Sequence, residues 1–198
     1  MLASDRFRNI AFPKAFDDCL FFELNKRTTP EEIPTFLAPA LQGRSVGLLS
    51  EAGVPAVADP GSRLVLAAHQ QGIEVVPLVG PSSILLAVMG AGMNGQSFAF
   101  KGYLSAKRPQ LAKDLKLLEK QVQRRGETQI FIETPYRNDA VFETALQVLE
   151  PQTLFGIAVD LTLPTQLIKT HTIQQWQKEE KPELHKRLAV FVMGKALR

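Results

Sequence analysis

Two loops rich in glycine, proline and small residues hold the residues of this sequence that are best suited to chemistry. The first runs from Ser50 to Gly61 and carries the carboxylates Glu51 and Asp59, and the second runs from Val79 to Ser83. Each loop follows an apolar, strand-like run and precedes a helix pattern. The unpaired backbone N–H groups at a helix start can bind a carboxylate or a phosphate. Because long loops are uncommon in compact domains unless they are functional, both loops are candidate binding sites.

The same loops also have a purely structural interpretation. Their glycines and prolines are the residues that shape tight turns, and Asp59 could simply cap the helix that starts at Pro60. The residues at issue are Gly53, Pro55, Pro60, Gly61, Gly80 and Pro81. Residue types and spacing alone leave the two interpretations open.

Other common chemistries find no support in the sequence. The histidines His69, His171 and His185 are far apart and none lies at metal-ligand spacing, so no metal site is predicted. His69 falls within an amphipathic helix pattern and is predicted to be a surface residue. Neither Ser50 nor Ser82 lies in a Gly-x-Ser-x-Gly motif, which argues against a hydrolase elbow at these serines, and no G-x-x-x-x-G-K-[ST] phosphate-binding motif is present.

Composition is that of a globular protein that works in a reducing compartment. The chain has 198 residues, 45% hydrophobic and 22% charged, with a net charge of +3. Its single cysteine, Cys19, excludes an internal disulfide and is predicted to be a buried thiol, because apolar residues follow it. No apolar run reaches the roughly 18 residues of a membrane span. We therefore expect a cytoplasmic location.

Strand and helix patterns alternate along the first half of the chain. Such alternation predicts parallel strands joined by crossover helices, with ligands at the carboxyl ends of the strands. A helix beginning near Thr29, with Glu32 completing a capping box, is expected to be irregular because of its prolines. The predicted strands are Cys19–Leu24, Ser45–Leu49, Ile73–Leu78 and the run 96–104. The predicted helices are at 62–72 and 81–92, and the second is wholly apolar and therefore predicted to be buried.

A polar linker around Leu104–Gln110 suggests a domain boundary. We predict an N-terminal subdomain of residues 1–104 and a C-terminal subdomain of residues 105–198. The second half opens with a charged helix and then alternates strands and helices. Two strand patterns flank the short loop "DLTLPTQ", which indicates an antiparallel hairpin and hence a mixed sheet.

The double loop closely resembles one enzyme family. "LLSEAGVPAVADPGSRLV" followed by "GIEVVPLVGPSS" resembles the 16S rRNA cytidine 2′-O-methyltransferase branch of the tetrapyrrole methylase superfamily. "FIETPYRN" and "VDLTLPTQLIKT" are similar to later segments of that branch. The resemblance implies two α/β subdomains, a mainly parallel first sheet and a mixed second sheet, S-adenosylmethionine as cofactor, a homodimer, and rRNA or the small ribosomal subunit as partner.

The resemblance also implies which residues hold the cofactor. Both loops would bind it largely through their backbone, which small residues allow to approach closely. The residues so implied are Ser50, Gly53, Val54, Ala56, Ser82, Ser83, Leu161 and Ala189. A ribose 2′-hydroxyl is a weak nucleophile, so a base or an oriented carboxylate should assist, and Glu133 and Asp160 at strand ends are the candidates.

The chain departs from the family pattern in ways that affect these expectations. Family members begin with a strand and a Pro-Gly loop, which we expect to be missing here, leaving the first subdomain incomplete. Val159 and Asp160 replace the family's Arg-Glu pair, and Val79 replaces the first proline of the second loop. Two alternatives therefore stay open: methylation of a small tetrapyrrole-like molecule, and an incomplete domain that only binds the cofactor or dimerises.

Overall fold

The structure, a computed structural model, describes residues 19–50 and 53–196. By compactness the chain divides into a first unit that ends at Gly80 and a second unit that begins at Pro81. The boundary predicted between residues 104 and 105 falls inside the second unit. Whether that position separates two folding subdomains stays a prediction.

The described part of the first unit is helical and irregular. A 3₁₀ helix spans Ile33–Leu37, α1 spans Ala38–Leu41 and α2 spans Gly61–Gln70. The expected capping box is half present, since the Thr29 backbone N–H donates to the Glu32 carboxylate at 2.7 Å. As expected, prolines keep this helix irregular. A small core contains Ile33, Leu37, Leu64, Ala67 and Ala68.

The strands predicted in the first unit are wrong for the described residues. Residues 19–24, 45–49 and 73–78 have no strand pairing, because a strand requires a ladder partner and the described part of this unit offers none. Ile73 and Val75 still pack against the small core, whereas Val76 and Leu78 are exposed, so the alternation of a strand persists without a sheet. Cys19, predicted to be buried, is also exposed.

The second unit contains a five-stranded mixed sheet. Its strands are β1 (Phe98–Tyr103), β2 (Thr128–Ile132), β3 (Leu154–Val159), β4 (Leu167–Thr172) and β5 (Ala189–Gly194), in the order β1-β2-β5-β3-β4. β1 and β2 are parallel, and the other neighbours are antiparallel. The predicted hairpin is confirmed as the β3–β4 pair, in which Val159 lies opposite Leu167.

Helices cover both faces of this sheet, so its central strands are apolar on both sides, as the unbroken run "AVFVMG" indicates. One face packs on α4 (Arg108–Arg125), α5 (Asn138–Val148) and the short α6 (Ile173–Trp176). Phe191 of β5 lies between Phe131 and Phe155, with ring centroids 5.4 and 5.8 Å away. The opposite face packs on α3 (Ser83–Ala91).

Helix α3 is buried along one side only. Ala87 and Ala91 are buried against the sheet, while Leu85 and Met89 are 52% and 76% exposed. The prediction of a wholly buried helix is therefore wrong. An apolar sequence all round the helix does not by itself bury every side, because burial requires a partner for each side.

Candidate functional site

The first loop has an unusual backbone that its own residues hold in place. Gly53, Ala56 and Ala58 adopt positive φ angles of 73°, 67° and 55°. For alanine this left-handed region costs of the order of 1 kcal/mol and persists only where neighbours enforce it. Such strain is typical of sites where the backbone itself binds a ligand.

Asp59 is the residue that enforces this conformation. Its Oδ1 accepts hydrogen bonds from the backbone N–H of Ala56 at 3.1 Å and of Gly61 at 2.8 Å, and its Oδ2 accepts one from the Ser50 hydroxyl at 3.2 Å. A side chain at Gly61 would lie 2.7 Å from Asp59 Oδ1 and 2.8 Å from Leu48. The structural interpretation of Asp59 therefore holds: it organises the loop at the start of α2.

The loop backbone nevertheless has room for a ligand. A Cβ added at Gly53 meets no atom within 4 Å, and the same holds at Gly80. Val54 and Ala56, which the family resemblance implies as cofactor contacts, are half-buried. The small residues of the loop leave its backbone accessible beside Gly53. Glu51 lies outside the described residues.

The remaining predicted residues lie together at one edge of the sheet in the second unit. Ala189 begins β5 and lies opposite Val159 at the end of β3, while the end of β2 lies beside Val190. Glu133 follows β2, and Asp160 and Leu161 follow β3. The carboxyl ends of these two strands thus flank the start of β5, about 10 Å apart.

Helix α3 begins at this same edge. Gly90 packs on Ile168 and the Ala91 carbonyl accepts from Thr170 at 3.0 Å, so the helix runs from the end of β3 back toward its start. Seven residues before Gly90, Ser83 lies about 10 Å further toward the strand ends. Ser82 has extended backbone geometry and its side chain makes no capping hydrogen bond. The second predicted loop therefore reaches the edge that holds Glu133 and Asp160.

The side chain of Ala189 takes no direct part in this edge. It is 6% exposed and packs in the core on the side of α4–α6. Leu161 packs partly on the opposite cluster, which includes α3. Any contact that Ala189 makes with a ligand would be through its backbone.

Glu133 is a buried carboxylate held by an arginine. Its side chain is 1% exposed, its Oε2 lies 2.6 Å from the Arg137 guanidinium, and its Oε1 accepts from the Thr134 N–H at 2.6 Å. The same guanidinium donates to the Ser105 carbonyl at 3.0 Å. The ion pair therefore fixes both the carboxylate and the arginine at the end of β2.

Asp160 is a saturated carboxylate. Its Oδ2 accepts from Arg187 Nε at 2.8 Å and from the Thr165 hydroxyl at 3.0 Å, and its Oδ1 accepts from the Leu188 N–H at 3.3 Å. Burial raises the pKa of this carboxyl, but the hydrogen bonds from Arg187 and Thr165 outweigh burial and hold the pKa below its ordinary value. A carboxylate with these partners is a weak base, so it orients its neighbours.

Arg137 and Arg187 belong to the site but were not predicted from the sequence. Arg137 lies four residues after Glu133, a spacing that could have indicated the ion pair. Arg187 is 27 residues from Asp160, and no local pattern links the two. It also donates to the carbonyls of Thr165 and of Glu183, which ties the β3–β4 loop to the segment before β5.

The residues that the structure describes contain neither a metal-binding cluster nor a helix that could span a membrane. Across residues 19–50 and 53–196, no group of three or more His, Cys, Asp or Glu side chains could hold a metal ion. In the same ranges, no helix has the length and apolar character needed to cross a membrane. His69 is exposed, as predicted.

The chain thus has an α/β unit with a mixed sheet and strand-end carboxylates, and its first unit has a loop with strained backbone. Residues 6–177 match the model of the tetrapyrrole (corrin/porphyrin) methylases, and the chain belongs to that family. Its fold agrees with that of the methyltransferase CobJ, with a TM-score of 0.57, 25% identity, and coverage of 87% of this chain and 73% of CobJ.

Curated relatives point to one branch. The chain is 35% identical over 141 residues to ribosomal RNA small subunit methyltransferase I of Vibrio cholerae, which covers 71% of this chain and 48% of the relative. It is 30% identical over 176 residues to the protein of the same name from Escherichia coli O157:H7, covering 87% and 60%. The chain therefore spans roughly half the length of these relatives.

Proposed function

We propose that this chain is the core of an S-adenosylmethionine-dependent methyltransferase that modifies a ribose 2′-hydroxyl of small-subunit rRNA. The observation that carries the proposal is family membership over residues 6–177, together with the shared name of its relatives. The double loop adds support, because its strained, small-residue backbone is accessible to a ligand.

The cofactor's sulfonium supplies an already activated methyl group, so the protein's main task is to position donor and acceptor. In this proposal the backbone of Gly53, Val54 and Ala56 and the loop at Ser82 and Ser83 bind the cofactor. Ser50 holds the first loop through Asp59. Leu161 and the backbone of Ala189 contribute from the strand ends.

Glu133 and Asp160 act as oriented carboxylates in this proposal. Glu133 is buried and paired with Arg137, so it would act by fixing that arginine at the edge of the site. Asp160, saturated by Arg187 and Thr165, fixes the loop that carries Leu161. The two carboxylates would thus have different roles, set by their partners.

A second candidate function is methylation of a small tetrapyrrole-like molecule. The likeness to CobJ favours it, since that structure covers 87% of this chain. The third possibility, a domain that binds the cofactor or dimerises without activity, follows from the limited share of the relatives that the chain spans. A homodimer and a cytoplasmic location belong to the proposal as well, and sedimentation of the purified chain would test the dimer.

Methyl transfer from labelled S-adenosylmethionine separates these candidates. The chain is incubated with small ribosomal subunits that lack the modification, with naked rRNA, and with a tetrapyrrole acceptor. Label in RNA, located at a ribose by nuclease mapping, supports the proposal. Label only in the tetrapyrrole supports the second candidate, and cofactor binding without transfer to any acceptor supports the third.

A further inference from the structure

The outer side of α4 carries an uninterrupted run of positive charge. The exposed residues Lys113, Lys120 and Arg124 are seven and four positions apart, which places them on one side of the helix over about 16 Å. In the part of the chain that the structure describes, none of the three forms an ion pair.

In the sequence, the acidic residues Asp114 and Glu119 lie among these cations, but in the structure both accept hydrogen bonds from neighbouring residues. The Glu119 carboxylate is buried, and it accepts from the Glu150 N–H at 2.7 Å and from the Thr153 hydroxyl at 2.6 Å. Asp114 accepts from the Ser105 N–H at 3.1 Å and from the Gln110 amide at 2.9 Å. Both acids are therefore engaged in local contacts, which leaves the outer side of the helix basic.

Ordinary helix electrostatics explain only part of this charge. Arg124 and Arg125 lie in the last turn, where cations stabilise the helix dipole. Lys113 and Lys120 lie in the middle of the helix, where the dipole offers no such gain. The paired cations Arg108 and Lys116 show that acids are within reach, since Glu143 and Glu150 neutralise them.

The helix also begins at the edge that holds the candidate site. Ser105, just before α4, contacts Arg137, the partner of Glu133. From this edge, the basic side leads along the helix for a distance that suits a chain of phosphates.

We propose that the outer side of α4, formed by Lys113, Lys120 and Arg124, binds the RNA phosphate backbone and holds the substrate strand beside the candidate site. The inference rests on the proposed function. It deepens that function by favouring a long polyanion over a small tetrapyrrole, which needs no such extended surface.

The test measures RNA affinity against salt concentration, using small-subunit rRNA and the whole chain. In a variant with Lys113→Gln, Lys120→Gln and Arg124→Gln, losing three phosphate contacts should reduce the slope of log affinity against log salt by about 2. Affinity at low salt should fall at least tenfold. A variant with Lys113→Arg, Lys120→Arg and Arg124→Lys keeps the charge and should keep the slope.

A matched control changes the same net charge elsewhere. Lys26, Arg44 and Lys178 are exposed and form no ion pair in the described ranges, so their combined change to Gln controls for overall charge. Leu117→Ala controls for the exposed apolar residue on the same side of α4. Both controls should keep nearly the parent slope. An equal loss of slope in the scattered variant, or an unchanged slope in the α4 variant, would overturn the proposal.

Binding and methyl transfer are measured separately, so the two proposals can fail separately. S-adenosylmethionine affinity should be unchanged in every variant, which also reports correct folding. A slope change without any RNA methylation would leave the surface standing and remove the proposed function. RNA methylation with an unchanged slope would do the reverse.

Discussion

At the scale of single residues, both the backbone conformation and the hydrogen bonds of Asp160 position its carboxylate at the end of β3. Its φ of 48° lies in the left-handed region, which asparagine and aspartate tolerate better than other residues. Arg187, Thr165 and Leu188 converge on its two oxygens. Together with Arg187, the residue thus joins the β3–β4 loop to the segment before β5.

Asp160→Asn should destabilise the chain by about 1–2 kcal/mol near neutral pH, because a charge-assisted hydrogen bond is lost while the backbone geometry is kept. The pKa of Asp160 is lower in the folded chain than its ordinary value, so the stabilisation is fully present above an unfolded pKa of about 3.9. It is lost as pH falls through the folded pKa.

Urea unfolding of parent and variant at a series of pH values measures this. The difference between the two should shrink below about pH 4, where the parent carboxyl takes up its proton. Equal stability near neutral pH, or a difference that stays constant into acid, would contradict the role given to the Arg187 pair.

Gly53→Trp tests the binding loop. Its side chain would occupy the open space beside the backbone and should abolish S-adenosylmethionine binding, measured by calorimetric titration with folding checked by circular dichroism. Gly43→Trp is the matched control, because Gly43 also has positive φ, 77°, and open space around it. Tight binding by folded Gly53→Trp protein would remove the site from this loop.

Residue-level prediction succeeded where the signal was local. The half capping box at Thr29 and Glu32 and the loop role of Asp59 follow from spacing. The partners Arg137 and Arg187 did not emerge, since the first needed knowledge of burial and the second depends on a contact distant in sequence. The sequence-predicted cofactor contacts stay predictions.

At the scale of elements, the backbone of α3 lies close to the side chains of β4. A Cβ at Gly90 would lie 2.8 Å from Cδ1 and 2.9 Å from Cγ2 of Ile168, so the whole isoleucine side chain would have to move. The Thr170 hydroxyl ties the next residue, Ala91, to β4. Small residues on this side of α3 are therefore a requirement of the packing.

Gly90→Ala should therefore destabilise the chain by about 1–2 kcal/mol, although alanine alone would favour the helix by up to about 1 kcal/mol. Ile168→Ala removes both clashing carbons. In the double variant the alanine at position 90 should become neutral or stabilising relative to Ile168→Ala. Denaturant unfolding of all four proteins measures this coupling, and additive effects would show that no clash exists.

Element-level prediction worked in the second unit and failed in the first. The strands and helices from Phe98 onward match because each apolar run finds a partner strand or helix. Residues 45–49 and 73–78 are equally apolar but have no strand partner among the described residues, so they form no sheet. The local residue pattern determines which secondary structure a segment can adopt, and the presence of a neighbouring strand determines whether it forms a sheet.

At the scale of the whole molecule, the second unit contains the sheet and both of its covering layers. α3 buries Ala87 and Ala91 on one face, Met93 just after it packs in the same cluster, and β1 supplies the parallel partner of β2. Both elements precede the boundary predicted at residues 104 and 105. The segment at this boundary has the polar composition of a linker, yet it connects β1 to α4, which both pack in the second unit.

A fragment of residues 81–198 should unfold cooperatively in urea, because it retains α3, β1 and both cores. A fragment of residues 105–198 lacks α3 and β1, exposes one face of the sheet, and should be unfolded or aggregated. Circular dichroism and the sharpness of the urea transition measure both. Cooperative unfolding of the shorter fragment would support the boundary at residue 105 instead.

The strand order has a consequence for how the chain is made. β5, the last strand in sequence, lies between β2 and β3, so the sheet cannot close until residues 189–194 have emerged from the ribosome. Before that moment the described strands can form only two separate pairs, β1–β2 and β3–β4, each with a bare inner edge. Unpaired edges invite pairing with other chains. Synthesis that stalls before Ala189 would therefore release a species prone to aggregation, and chaperones would have to hold it.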